Sequence, residues 1–259
     1  MISSSWLSKV KVAIGFQCLC HPVVGKVIHK LFHGTVPFRG HFFELGTDGH
    51  VSYKQVANLF WGLYEKSERR LISKYLRPDL DMIELGSGVG VISCFILQAQ
   101  TPEKSLICVE ANPEAATMLF RNIRRNYPNR KFVRIVHGAV DYSGADIVPL
   151  KIDEDLIGSN VGEARSNAAR VTAITLSRIH ENFALKSFAL VCDIEGAEAG
   201  LLENEPKVFE LCEQIIIELH TTQFQGRSYS IFDLSRLIEN MGFALRGRRR
   251  NVFVYERMC

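Results

Sequence analysis

The chain has 259 residues, 47% of them apolar, and a formal net charge of +3. That suffices for one α/β domain plus an extension, or for two small domains, while so weak a charge lacks the basic footprint of a protein built to track nucleic acid. Seven cysteines, several inside apolar runs such as VISCFIL, LICVE and ALVCDIE, read as small buried hydrophobes in a reducing, cytoplasmic setting, not as a disulfide framework.

Residues 1–62 are expected to form an N-terminal extension. Lys9 and Lys11 precede a short apolar stretch with no cleavage site and without the ~20 uninterrupted apolar residues of a spanning helix. Farther on, apolar residues are interleaved with Lys26, His29 and Lys30, which predicts an amphipathic helix packed on the domain. Contact with a membrane surface is the alternative. Cys18, Cys20 and His21 lack a second ligand pair, so no metal is expected there. GTVPFRGHFFELGTDG predicts irregular or hairpin structure, with possible substrate or partner contact.

A larger domain is expected over 63–259. YEKSERRLISKYL (64–76) carries a helical stripe closed by RPDLD. MIEL is a short buried strand, GSGVG a turn and VISCFILQAQ a buried helix. A strand at 105–110, a helix at 113–127 and a strand at 132–140 follow, then a connecting segment at 172–183 and a strand at 188–193. The next helix is interrupted near Pro206. A strand at 214–220, a helix at 231–242 ended by glycine and a hairpin at 243–256 complete the domain. Strands alternating with helices predict a mostly parallel, Rossmann-like sheet covered on both faces, with the closing hairpin antiparallel. RGRRR (246–250) reads as a solvated turn in that hairpin, the alternative being a contact for an anionic substrate or headgroup.

The first strand exit, MIELGSGVG, carries Gly86, Gly88 and Gly90 around Ser87 and Val89. Open α/β sheets bind ligands beyond such exits. A nicotinamide site prefers Gly-x-Gly-x-x-Gly, whereas here the third glycine falls one place early, and Glu84 would sit awkwardly beside pyrophosphate. The cationic methionine end of S-adenosylmethionine suits an acid at that strand tip. Glu110, some twenty residues on in VEANP with Ala111 and Asn112 behind it, is placed to accept the ribose hydroxyls. The loop after HGAV, near Ala139, is expected to line the adenine.

LVCDIEGAE places Asp193, Glu195 and Glu198 within six residues, and IIIELH ends in Glu218 and His220. Residues two apart in an extended strand point the same way, so Asp193 with Glu195 and Glu218 with His220 can converge on one cleft. Buried acids at that density are costly without a cation or a hydrogen-bonded substrate. Glu198 also reads simply as an acid favoured by a helix N-terminus, and Glu218 as the partner of an arginine.

YExxER (64–69), IELGSGVG, VEANP, HGAV, TL (175–176), DIEGAE and ELH occur here in the order seen in the FkbM family of methyltransferases, which the chain resembles over about 60–256. The resemblance implies a class I methyltransferase fold, S-adenosylmethionine as cofactor, and O-methylation of a hydroxyl on a sugar or natural product. Many members carry an aspartate soon after TL, where this chain has Ser177. Such a reaction needs alignment and a base. His220 is the expected base, with Asp193 or Glu195 orienting the substrate hydroxyl or the imidazole. A divalent cation on Asp193 and Glu195 is not expected. RNA or protein methylation, and a cofactor-binding module without catalysis, are the competing functions.

Overall fold

The computed structural model describes residues 18–46, 51–151, 160–161 and 169–258. The expectation for Lys9, Lys11 and their neighbours lies outside the described residues. The chain divides into two compact units, Met1–Lys66 and Ser67–Cys259.

The first unit holds helix α1 (Pro22–Leu31), strands β1 (Thr35–Phe38) and β2 (His41–Glu44), and helix α2 (Tyr53–Phe60). His21 begins α1 by accepting the Val23 N–H, with Pro22 at the first helical position, where a missing N–H costs nothing. Gly25 lets the helices touch, since a Cβ there would lie 1.6 Å from the Tyr53 carbonyl oxygen. β1 and β2 pair antiparallel from Thr35↔Glu44 to Phe38↔His41. Ile28, Val36, Phe43, Val56 and Leu59 are buried in this unit.

The second unit runs on from α3 (Lys66–Tyr75) through β3 (Asp81–Leu85), α4 (Val91–Ala99), β4 (Leu106–Glu110), α5 (Pro113–Asn126) and β5 (Val133–His137). After three short strands, β6 (Ala139–Val140), β7 (Ile147–Lys151) and β8 (Asn160–Val161), come β9 (Ala169–Ile174) and α6 (Leu176–Phe183). β10 (Phe188–Cys192), α7 (Glu198–Asn204), α8 (Pro206–Phe209) and β11 (Cys212–Glu218) follow. A small hairpin, β12 (Thr222–Phe224) and β13 (Arg227–Tyr229), leads to α9 (Ile231–Asn240) and the closing pair β14 (Phe243–Arg249) and β15 (Val252–Arg257).

Seven strands form the main sheet in the order β14-β15-β11-β10-β3-β4-β5. β11, β10, β3, β4 and β5 are mutually parallel, and β15 and β14 are antiparallel, so the predicted Rossmann-like architecture is the one observed. β4 and β10 are buried along their whole length, which is why their sequences read as unbroken apolar runs. One core packs Leu85, Val109, Leu190 and Ile217 on one sheet face, and a second packs Met82, Cys108, Val191 and Ile216 on the other.

Two sequence expectations are corrected. The strand expected over 132–140 is broken: β5 ends at His137, and Ala139–Val140 belong to a separate sheet ordered β6-β9-β7-β8. Gly138 makes the break, its N–H donating to the Glu110 carbonyl, and a Cβ on it would fall 3.2 Å from the Thr172 carbonyl oxygen. The region assigned only a connecting segment also contains β9, whose Ala173 and Ile174 pair with Ala139 and Val140.

Candidate active site at the switch point

The chain runs outward from β3 through β4 to β5, then returns to place β10 and β11 on the other side of β3. Strand order therefore reverses between β3 and β10, and the crevice at such a reversal is where α/β sheets hold ligands. Leu85 and Cys192 are register partners at the two strand tips. The Asp193 N–H then donates to the Leu85 carbonyl at 2.9 Å. Gly86 leaves β3 at φ +82°, and a Cβ on it would fall 1.8 Å from the Asp193 carbonyl oxygen. Only glycine permits this approach. Gly86 thus forms a backbone-to-backbone seam between the two exits.

Gly88 is different. Its φ is +51°, and no heavy atom lies within 4 Å of where a Cβ would be, so this turn is open to a ligand. Its N–H donates to Glu110 Oε2 at 2.6 Å, while the Asn112 N–H donates to Oε1 at 2.7 Å. Burial pushes the Glu110 carboxyl up, and those N–H groups pull it back down. Each oxygen keeps a lone pair for a further donor. Gly90 starts α4, packed on Leu119.

Glu84 lies within the buried strand β3, 2% exposed. Ser93, from the first turn of α4, donates to Glu84 Oε2 at 2.5 Å, and Ser87 Oγ donates to the Glu84 carbonyl at 3.4 Å. Oε1 has no hydrogen-bond partner. Burial pushes this carboxyl up to about 7. A buried, unpartnered acceptor beside an open glycine turn fits a ligand with a cationic end, so the residues present fit S-adenosylmethionine. Ser93 escaped the sequence reading; the one signal was a hydroxyl in an otherwise apolar helix.

Other members of the expected cofactor set hold structure. Asn112 caps α5, its side-chain oxygen accepting the N–H groups of Glu114 and Ala115. The Ala111 carbonyl contacts the His137 ring at 3.0 Å. Ala139 lies in a strand and is 1% exposed, so the expected adenine loop is a ladder element there.

At the second exit Glu195 takes φ +48° and Gly196 φ +105°, turning the chain sharply into α7. Glu198, the first residue of α7, is fully buried, and its Oε1 lies 2.7 Å from His220 Nδ1. Of the two roles expected for Asp193 or Glu195, orienting the substrate hydroxyl or the imidazole, the second falls at Nδ1 to Glu198. His220 Nε2 faces the cleft, 3.6 Å from Glu195 Oε2 and 3.9 Å from Glu218 Oε1. Asp193, Glu195 and His220 each bring one polar atom within 4.8 Å of the others, a spread that a divalent cation could also bridge. The Glu198 hydrogen bond, above all, raises His220 to about 9, against the opposing effect of burial. Burial pushes Glu218 up, tempered first by His220.

Ser177, where the resemblance supplied an aspartate, donates its hydroxyl and its N–H to Glu205, which also accepts the Tyr142 hydroxyl at 2.9 Å. An aspartate there would face Glu205 with like charge.

The family model described as Methyltransferase FkbM domain matches residues 84–245. A ribosomal protein L11 methyltransferase from Pelotomaculum thermopropionicum is 29% identical over 139 residues, 52% of this chain. The match spans only 43% of that relative's length. Among solved structures, the Synechocystis PCC 6803 magnesium protoporphyrin IX methyltransferase with bound SAH is 11% identical, at TM-score 0.43 over 74% of this chain and 80% of that one. The precorrin-6y C5,15-methyltransferase from Geobacter metallireducens is 10% identical, at TM-score 0.45 over 83% and 94%.

Proposed function

Given that the chain belongs to the FkbM methyltransferase family, whose members use S-adenosylmethionine, we propose that it methylates a hydroxyl of a sugar, glycan or other small-molecule natural product. One observation carries the reading: an imidazole held at Nδ1 by a buried carboxylate, its Nε2 set between Glu195 and Glu218 beside the switch point.

S-adenosylmethionine supplies a methyl already activated on a sulfonium, which leaves alignment and proton removal to the chain. Glu84, Ser87, Gly88 and Gly90 are the proposed holders of its methionine end, with the unpartnered Glu84 oxygen meeting the cation. Glu110 accepts the ribose hydroxyls, and Ala111, Asn112 and Ala139 form the wall behind it. His220 takes the acceptor's proton at Nε2, while Glu198 fixes the ring and stabilises the imidazolium. Asp193 and Glu195 orient the acceptor hydroxyl. Without ligand the imidazole is protonated near neutral pH, because its pKa is raised to about 9. The base form, and hence turnover, therefore increases as pH rises toward that value.

A second reading has one observation in its favour: four acids, Asp193, Glu195, Glu198 and Glu218, also suit a protonated amine such as a protein lysine. Incubation with a deuterated methyl donor, sugar and polyketide hydroxyl acceptors, and lysine-rich protein decides between them by mass spectrometry. Label on a hydroxyl oxygen is expected. Label confined to amines would overturn the O-methylation reading.

A further inference from the structure

The first 43 residues contain no aspartate or glutamate, the first acid being Glu44, while Lys9, Lys11, Lys26, Lys30 and Arg39 fall within them. Inside this acid-free stretch, α1 buries one side and leaves another bare. Gly25 and Ile28 face inward, Gly25 against the backbone of Tyr53. Leu19, Val23, Val27 and Leu31, spaced four residues apart, are 43%, 63%, 60% and 68% exposed. At 100° per residue Val23, Val27 and Leu31 make one continuous strip along the helix, which Leu19 precedes in sequence, ahead of the His21 cap. The exposed Trp61 extends it, its indole N–H donating to the Leu19 carbonyl at 3.0 Å. By the same helical spacing Lys26 and Lys30, both exposed, lie along the margin of the strip.

A helix needs only a few apolar residues turned inward to dock on its neighbour, and α1 has them in Ile28 and Gly25. Four aliphatic side chains on the outer side are surplus to folding and lose favourable free energy in water. The charge around them selects the occupant. Bare aliphatics edged by lysines, with a tryptophan beside them and no acid in the 43 residues that contain them, match a helix lying in the interface of an anionic bilayer. Tryptophan favours that depth, and lysine side chains reach from it to lipid phosphates. Spanning is excluded for the described residues, since no helix among them is long and apolar enough to cross a membrane.

We propose that α1 binds the surface of anionic phospholipid membranes, inserting Leu19, Val23, Val27, Leu31 and Trp61 into the interface while Lys26 and Lys30 contact lipid phosphates. The site is separate from the proposed catalytic residues, all of which lie in the second unit.

Co-sedimentation of the full chain with vesicles of phosphatidylcholine and phosphatidylserine (about 70:30) tests this. Binding is expected at low salt, weakening in pure phosphatidylcholine and with rising salt. Val23→Gln with Val27→Gln should lower partitioning about tenfold or more, and Lys26→Glu with Lys30→Glu should lower it similarly and remove the salt dependence. All four positions are exposed, so S-adenosylmethionine binding should be unchanged in both variants. Failure of the wild type to bind, or equal binding by both variants, would overturn the proposal. So would a concentration-dependent dimer that the valine variant dissolves, which would make the strip a contact between copies.

Discussion

The two strand exits that meet at the switch point are built by different means. The exit after β3 is shaped by backbone: Gly86 lies against Asp193, Gly88 is open, and Glu110 gathers two N–H groups across the turn. The exit after β10 is shaped by side chains from distant parts of the chain, above all Glu198 against His220 at 2.7 Å, twenty-two residues apart. Backbone requirements restrict which residue types can stand at given positions and so leave a local signature. A side-chain pair across two elements leaves none, because either partner alone has an ordinary explanation.

Substitution of the glycines tests this contrast most severely. Gly86→Val is expected to cost on the order of 4 kcal/mol or more in urea unfolding, since its Cβ falls on the Asp193 carbonyl. Gly88→Ala, with free space and only a positive φ to strain it, should cost about 1 kcal/mol. Equal costs would show that the seam is not where the exits are joined.

At the second exit, His220→Ala should lower kcat by ~10²–10⁴-fold with S-adenosylmethionine still bound, as measured by calorimetry and single-turnover assay. Glu198→Gln removes the main cause of the raised imidazole pKa, so the alkaline rise of the pH–rate profile should move toward the ordinary histidine value. A displacement of about one pH unit or more is expected. If the profile stays fixed while activity falls, Glu198 supports packing only.

The first exit also carries a pH test at Glu84. Its folded pKa, about 7, lies above the usual 4.5, so the folded chain holds this proton more tightly than the unfolded chain does. The contribution of Glu84 to stability is therefore fully present below pH 4.5 and is lost as pH rises through about 7, by about 3 kcal/mol at most. His220 acts in the same sense at higher pH, its contribution being lost as pH rises through about 9. Glu84→Gln should flatten the lower part of that slope in thermal melts and leave the upper part intact. An unchanged lower slope would mean that Glu84 does not titrate there.

Much of the fold was legible because its signals are periodic. The buried strands β4 and β10 read as apolar runs, α5 as a stripe with a basic outer side, and the α7–α8 interruption as Pro206. The strands at 139–174 were missed because Ala139–Val140 continues the pattern of β5, and only tertiary pairing with Ala173 and Ile174 separates them. In the site, Glu84, the glycines and Glu110 stood out through chemistry confined to a few residues. Asn112, in the same motif, also caps a helix. Glu198 was visible only as one more acid at a helix start, and its partnership with His220 depends on how α7 and the end of β11 come together.

Because the backbone of Gly86 lies against the carbonyl of Asp193, the two strand exits, and with them the proposed donor and acceptor sites, meet at a joint that admits no side chain. A residue exchange at that joint disturbs both sites together. New acceptor preferences therefore have to be explored in segments hung around it, such as the sheet at 139–174, the hairpin at 222–229 and the arginine-bearing turn at 250–251.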